Sequence, residues 1–239
     1  MKYTIRPSGD HAVVIELGHA INQETHEKVK AVTHFLENQT IPWFVEIIPA
    51  FTTVTILYDP ITITDLNKPF QHTLPYSVVC AEIERMLSTL TVNGQHQSRV
   101  ITIPVCYGGA FGPDLESVAH HHGMTEEEVI QIHTNGEYLV YMIGFAPGFP
   151  YIGGMSPDIA TPRKESPRLK IPAGSVGIAG EQTGVYPIET PGGWQLIGRT
   201  PLKLFKPEQE HEPSLLKAGD QIRFKAISPE EFKALEEEQ

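Results

Sequence analysis

The 239 residues suffice for one large domain or two ordinary ones, and a chain with 40% hydrophobic and 20% charged residues is globular in composition, with no run near the roughly 18 apolar residues of a membrane span. A formal net charge of −11, with no Lys/Arg run interleaved with aromatics, repels phosphate backbones and excludes nucleic acid as an expected partner. The chain opens Met1-Lys2-Tyr3-Thr4-Ile5-Arg6 without a secretory signal pattern, and Cys80 and Cys106 fall in a helical and a strand pattern, so reduced thiols and a cytoplasmic location are expected.

In chain order, residues 3–6 and the β-branched run 11–17 read as strands joined by the turn residues Ser8-Gly9-Asp10, a hairpin. Asn22 is placed to cap a helix whose Val29, Val32 and Leu36 fall at i, i+3 and i+7, with Ile21 stapling its start. Residues 44–48 and 54–58 read as strands on either side of Pro49, and Val79, Ile83, Met86 and Leu90 mark a second amphipathic helix. Strands alternating with helices predict a small α/β layer structure. The polar stretch 91–98, with its Asn93-Gly94 turn signal, separates this half from the apolar alternation beginning at Val100. The expected domains are residues 1–92 and 99–239, with 93–98 as a linker.

Beyond that boundary, residues 114–122 and 126–134 read as helices, while 137–143 and many short runs after Leu169 read as strands. The second half is therefore expected to be mainly β with a helical insertion, its stretch 144–201 rich in Pro and Gly turns. At the end, Glu230, Glu231, Glu236, Glu237 and Glu238 surround Phe232 and Leu235 in an amphipathic helix with a solvated acidic face.

The stretch 144–154, GFAPGFPYIGG, sets Phe145, Phe149 and Tyr151 in a loop that Pro stiffens and Gly lets turn sharply. These aromatics form either a wall facing a ligand or a plug at the end of a barrel. In TPRKESPR, 161–168, Arg163 and Arg168 each follow a proline, and a guanidinium fixed beforehand offers a planar fork of donors to a carboxylate or phosphate. The alternative is that both pair with Glu165 or other surface acids. The glycine-rich run 171–187 projects Gln182, Thr183 and Tyr186 from its turns and matches neither GxxxxGK[ST] nor GxGxxG, so no nucleotide cradle of those kinds is inferred. Within 190–201, Trp194 is either a core plug or a stacking surface, and Arg199 closes the set of candidate binding residues.

His120, His121 and His122 adjoin one another, but consecutive helical residues point about 100° apart and do not share one metal ion. With Gly123 as a C-cap they read as imidazoles at a helix end, and no metal site is inferred. Thr125 and Glu128 form a capping box for the next helix, and His133, at its end, is a candidate acid or base. No Gly-x-Ser-x-Gly elbow occurs, and Ser175 has no His and Asp partners by spacing, so a self-contained hydrolase is not expected.

The blocks GFAPGFPYIGG, TPRKESPR, IPAGSVGIAGEQTGVYP and TPGGWQLIGRTP resemble, in order and spacing, the signature blocks of the 5-oxoprolinase B-subunit family, also called allophanate hydrolase subunit 1 or kinase A inhibitor. Ser8-Gly9-Asp10-His11-Ala12 and Ile48-Pro49-Ala50-Phe51 are similar to the family's opening Gly-Asp and Val-Pro-aromatic patterns, with Phe51 where the family often has Tyr. The resemblance implies an α+β chain, a small N-terminal α/β domain followed by a cyclophilin-like β-barrel domain. It also implies partnership with subunits C and A, which together cleave 5-oxoproline to glutamate with ATP hydrolysis. In that reading ATP is used at another subunit and this chain binds no cofactor. Arg168 and His133 are then the candidate catalytic residues, and Phe145, Phe149, Tyr151, Arg163, Gln182, Thr183, Tyr186, Trp194 and Arg199 contribute half a site for substrate or partner. A different implication is inhibition of a sporulation sensor histidine kinase through its dimerisation helices, with the aromatic loop and Trp194 as protein-binding hot spots. Prolyl isomerase activity is a third, by fold analogy alone.

Overall fold

A computed structural model describes residues 1–66, 73–90, 99–209 and 211–238. The expected linker at 93–98 lies outside the described residues. The chain divides into two compact units, Met1–Gln97 and Ser98–Gln239.

In the first unit, β1 (Thr4–Pro7) and β2 (Ala12–Glu16) form the expected hairpin, followed by α1 (Gln23–Glu37), β3 (Phe44–Pro49), β4 (Thr53–Tyr58), α2 (Pro60–Leu66) and α3 (Pro75–Leu87). The strands make one antiparallel sheet in the order β1-β2-β4-β3. Val13 is the partner of Ile56 and Ile15 of Val54, so period-2 alternation brings all four to one face. That face is buried against Val29, Val32 and Leu36 of α1 and Val79 and Ile83 of α3. Asn22 caps α1 by accepting the Thr25 backbone N–H at 2.9 Å, satisfying a donor that has no partner inside the helix. α3 stops at Leu87, short of Leu90, where Ser88 and Thr89 turn their hydroxyls onto the carbonyls of Arg85 and Met86.

The second unit runs β5 (Val100–Tyr107), α4 (Leu115–His122), α5 (Glu126–Asn135), β6 (Tyr138–Ile143), β7 (Pro150–Gly153), β8 (Arg168–Ile171), β9 (Ser175–Ala179), β10 (Gln182–Val185), β11 (Thr190–Gly192), β12 (Gln195–Arg199), β13 (Gln221–Ala226) and α6 (Pro229–Glu237). Seven of these strands close a barrel in the order β10-β7-β6-β13-β5-β12-β9, which removes exposed sheet edges. β13 runs parallel to β5 and the remaining neighbours are antiparallel. Arg99 grips Asp220 through Nε at 2.9 Å and Nη2 at 2.6 Å, clamping the starts of β5 and β13 together. Ile103, Val105, Val140, Ile152, Val176, Ile178, Val185 and Ile197 fill the barrel and join the cluster that holds Leu115 and Val118 of α4 and Val129 of α5. Gly123 ends α4 in the left-handed region at φ 66°, and the Thr125–Glu128 capping box starts α5, both as the residue types require. β8 and β11 form a separate two-stranded sheet. The whole is α+β with a closed, cyclophilin-like barrel in the second half.

Candidate functional site

Alternation along β9 and β10 sorts the barrel wall into two faces. Val176, Ile178 and Val185 belong to the interior, so Gly177 and Gly184, which are register partners, lie together on the outer face. Two paired glycines leave a strip of wall without side chains, and Trp194 lies over it. A Cβ on Gly184 would fall 2.9 Å from Trp194 Cζ3, and one on Gly177 would fall 3.1 Å from Trp194 Cβ. Phe149 stands edge-on to Trp194, Tyr186, Tyr151 and Phe145, with ring centroids 6.0, 5.8, 5.4 and 5.5 Å away, and Tyr186 meets Trp194 at 6.1 Å. Such edge-to-face pairs add about 0.5–1.5 kcal/mol each beyond area burial. Ile171 and Leu196 complete a small apolar cluster distinct from the barrel interior.

Phe145 is the outer member of this shell. Its φ of 70° lies in the left-handed region, and the residue is 76% exposed. For a bulky residue that backbone costs about 1–2 kcal/mol. The loop sustains it with closing backbone hydrogen bonds, Gly144 N–H to the Phe149 carbonyl at 3.0 Å and Phe149 N–H to the Ala146 carbonyl at 3.0 Å.

A cationic corner borders the aromatics. Asp114, at the start of α4, has a side chain only 4% exposed, and its Oδ1 accepts from Arg168 Nη2 at 2.7 Å and Lys164 Nζ at 3.0 Å. Its Oδ2 accepts from the Leu196 backbone N–H at 2.7 Å. Burial pushes the Asp114 carboxyl up, but the hydrogen bonds from Arg168, Leu196 and Lys164 outweigh it and hold the pKa below the usual carboxylate range. Burial raises the Tyr186 hydroxyl to about 12, while the charges of Arg163 and Arg168 act in the opposite direction, so both guanidinium groups lie within electrostatic range of that oxygen. Arg163 itself is exposed. Three buried polar atoms here lack hydrogen-bond partners: Arg168 Nη1, Thr190 Oγ1 and Gln195 Oε1. Each such orphan costs on the order of 1–3 kcal/mol.

The other candidates fall elsewhere. His133, read from the sequence as an acid or base, is fully buried inside the barrel, and desolvation lowers its pKa to about 3. Thr183 points inward to meet it. The Thr183 hydroxyl donates to the Gly177 carbonyl at 3.1 Å, so its oxygen accepts from His133 Nε2 at 2.9 Å, and His133 Nδ1 accepts from the Tyr107 hydroxyl at 2.7 Å. This chain of bonds fixes a neutral imidazole with its proton on Nε2, a buried connector across the barrel. Gln182 pairs with Ala179 at the β9–β10 turn, the opposite end of β10 from Tyr186. Arg199 donates Nε to the Ala173 carbonyl at 2.9 Å and pins the turn before β9. Phe145, Phe149, Tyr151, Tyr186 and Trp194 thus come together, and the charges of Arg163 and Arg168 are felt at Tyr186.

Residues 3–216 match the family described as carboxyltransferase domain, subdomain C and D. The chain is 52% identical over 238 residues to the 5-oxoprolinase B-subunit of Bacillus subtilis, covering 100% of this chain and 98% of that one. The chain belongs to the 5-oxoprolinase B-subunit family. A second family member, from Escherichia coli O157:H7, is 43% identical over 90% of this chain and 92% of its own. Among solved structures, the crystal structure of TTHA0988 superposes with a TM-score of 0.76 at 31% identity, covering 94% of this chain. This chain spans only 40% of that longer one. The family fold is thus found both as a chain of its own and as part of a larger one.

Asp114, Lys164 and the Gly177–Gly184 pair do not stand out in the sequence. An Asp opening a helix reads as a cap, yet Asp114 makes no cap bond with its side chain and reaches residues 50, 54 and 82 positions away.

Proposed function

We propose that this chain is the B-subunit of an ATP-dependent 5-oxoprolinase and acts with subunits A and C to hydrolyse 5-oxo-L-proline to L-glutamate. The observation that carries the reading is the meeting of a positively charged corner, Arg168 and Lys164 held on one buried Asp114 with Arg163 exposed next to Lys164, with a preformed aromatic cluster of Phe149, Tyr186 and Trp194. The names of its full-length relatives support the assignment. Water adds across the lactam C–N bond, the carbonyl carbon becomes a carboxylate and the nitrogen becomes the free amine, with ATP hydrolysed at another subunit. In this scheme the chain supplies orientation and fixed positive charge, the two contributions its residues are built to make. Co-expression with subunits A and C should give ATP hydrolysis that depends on 5-oxoproline and releases glutamate. Absence of glutamate from the assembled complex rejects the reading.

A second reading takes support from Phe145 and Leu169, residues that are 76% and 87% exposed. Large apolar groups presented to solvent fit protein docking, including docking onto the dimerisation helices of a sensor histidine kinase. Addition of the chain to a purified sensor kinase should then lower its autophosphorylation, and no effect at micromolar concentration rejects it for that kinase.

A further inference from the structure

The charges of the corner do not balance. Lys164 and Arg168 share the single negative charge of Asp114, and Arg163 has no acidic partner among the described residues, in a chain whose formal net charge is −11. Arg168 uses Nη2 on Asp114 while Nη1 is closed to solvent and unpartnered, which leaves half of its donor fork unused. Both neighbours of Arg163 are tied to the segment that carries Trp194: the Lys164 N–H donates to the Gly193 carbonyl at 2.7 Å and Gln195 Nε2 donates to the Pro162 carbonyl at 2.9 Å.

We propose that Arg163 and Arg168 form a carboxylate subsite, which takes the acid group of a compact carboxylic acid whose uncharged body rests against Trp194. In the complex proposed above that acid group is the carboxylate of 5-oxoproline, an assignment that rests on that reading, and the lactam amide is left to the partner subunits. Arg163, being exposed, makes the first contact. Arg168 completes the site once the groups over Nη1 part, and Asp114 acts as a positioning residue that aims the Arg168 fork. A carboxylate matches a planar fork of two donors, whereas a neutral lactam has no charge to offer either guanidinium.

The test is a titration of the full chain followed by tryptophan emission, because Trp194 forms the floor of the subsite while Trp43, buried in the first unit, gives a constant background. Three probes are compared: 5-oxo-L-proline, 2-pyrrolidinone, which is the same lactam without the carboxylate, and inorganic phosphate. The expected result is saturable binding of 5-oxoproline, with the other two weaker by at least about tenfold, and a similar weakening of 5-oxoproline binding in Arg163→Ala and Arg168→Gln. Because Arg168→Gln disturbs a buried ion pair, its fold is checked by circular dichroism; Arg163 is exposed, so Arg163→Ala keeps the test decisive. Equal responses to 5-oxoproline and 2-pyrrolidinone, an equal response to phosphate, no saturable response at all, or undiminished binding in Arg163→Ala overturns the proposal. The two readings fail separately. A complex that turns over 5-oxoproline normally with both arginine variants sinks the subsite alone, whereas carboxylate-selective binding beside an inactive complex sinks the assigned reaction alone.

Discussion

Arg168 donates Nη2 to Asp114 Oδ1 at 2.7 Å, and Lys164 Nζ reaches the same oxygen at 3.0 Å. One buried carboxylate therefore fixes two cations and, through its other oxygen, the backbone at Leu196. Asp114→Asn keeps the shape but removes the charge. Breaking a buried pair by removing one partner costs about 3–5 kcal/mol. Arg168 and Lys164 retain 27% and 32% exposure, so water compensates part of that loss. Urea unfolding at pH 7 should show a loss of about 2 kcal/mol. The Asp114 pKa is lowered in the fold, so its contribution is present above the unfolded value of roughly 4 and is lost as pH falls through the folded one. The variant should lack that acid-side loss, and an unchanged unfolding free energy at pH 7 would sink the account of Asp114.

His133 supplies a separate pH signature. Burial holds its imidazole at about 3, below the roughly 6.5 of an unfolded chain. Below that pH the unfolded state takes up a proton that the folded state refuses, so stability is full above about 6.5 and falls on acidification by up to about 1.4 kcal/mol per pH unit. His133→Gln should lose about 2 kcal/mol at pH 7 through the broken bonds to Tyr107 and Thr183, and should show a shallower decline between about pH 6.5 and 5. Parallel pH curves for the two proteins would contradict a neutral buried His133.

Phe145 combines a strained backbone with an exposed ring. Phe145→Ala removes the ring and keeps the strain, whereas Phe145→Gly removes both. The glycine variant should be more stable than the alanine variant by about 1 kcal/mol in urea unfolding. Both should lower turnover of the assembled complex. A glycine variant less stable than alanine would show that φ at this position carries no strain.

Gly184→Ala tests the floor beneath Trp194. The new Cβ would meet Trp194 Cζ3 at 2.9 Å, so the indole must shift. The expected cost is about 1–3 kcal/mol, with a changed Trp194 emission maximum. Wild-type emission together with wild-type stability would place Trp194 away from the Gly177–Gly184 strip.

Much of the fold was legible because it follows local rules. Asn22, Gly123 and the Thr125–Glu128 box fix helix ends within a few residues, and the alternating apolar positions of β2 and β4 fix a buried face. The aromatic loop was legible as a unit because Pro and Gly confine it. The site was legible only in part, because its decisive contacts are long-range. Asp114 meets Arg168 across 54 residues, and the bare strip exists only because the register sets Gly177 opposite Gly184. Thr183 and Tyr186 read alike in one glycine-rich run, yet strand alternation sends Thr183 inward to His133 and leaves Tyr186 on the outer cluster. His133 misled for a related reason: its position at a helix end before the aromatic loop is a local fact, and its burial is a property of the closed barrel.

If the Arg168 corner serves the 5-oxoproline reaction, its loss must be felt in turnover of the complex reconstituted from all three subunits. With Arg168→Ala in this chain, 5-oxoproline-dependent glutamate release should fall at least about tenfold, equivalent to about 1.4 kcal/mol in the barrier, while the complex still assembles. Turnover equal to that of the wild-type complex would contradict the role given to Arg168.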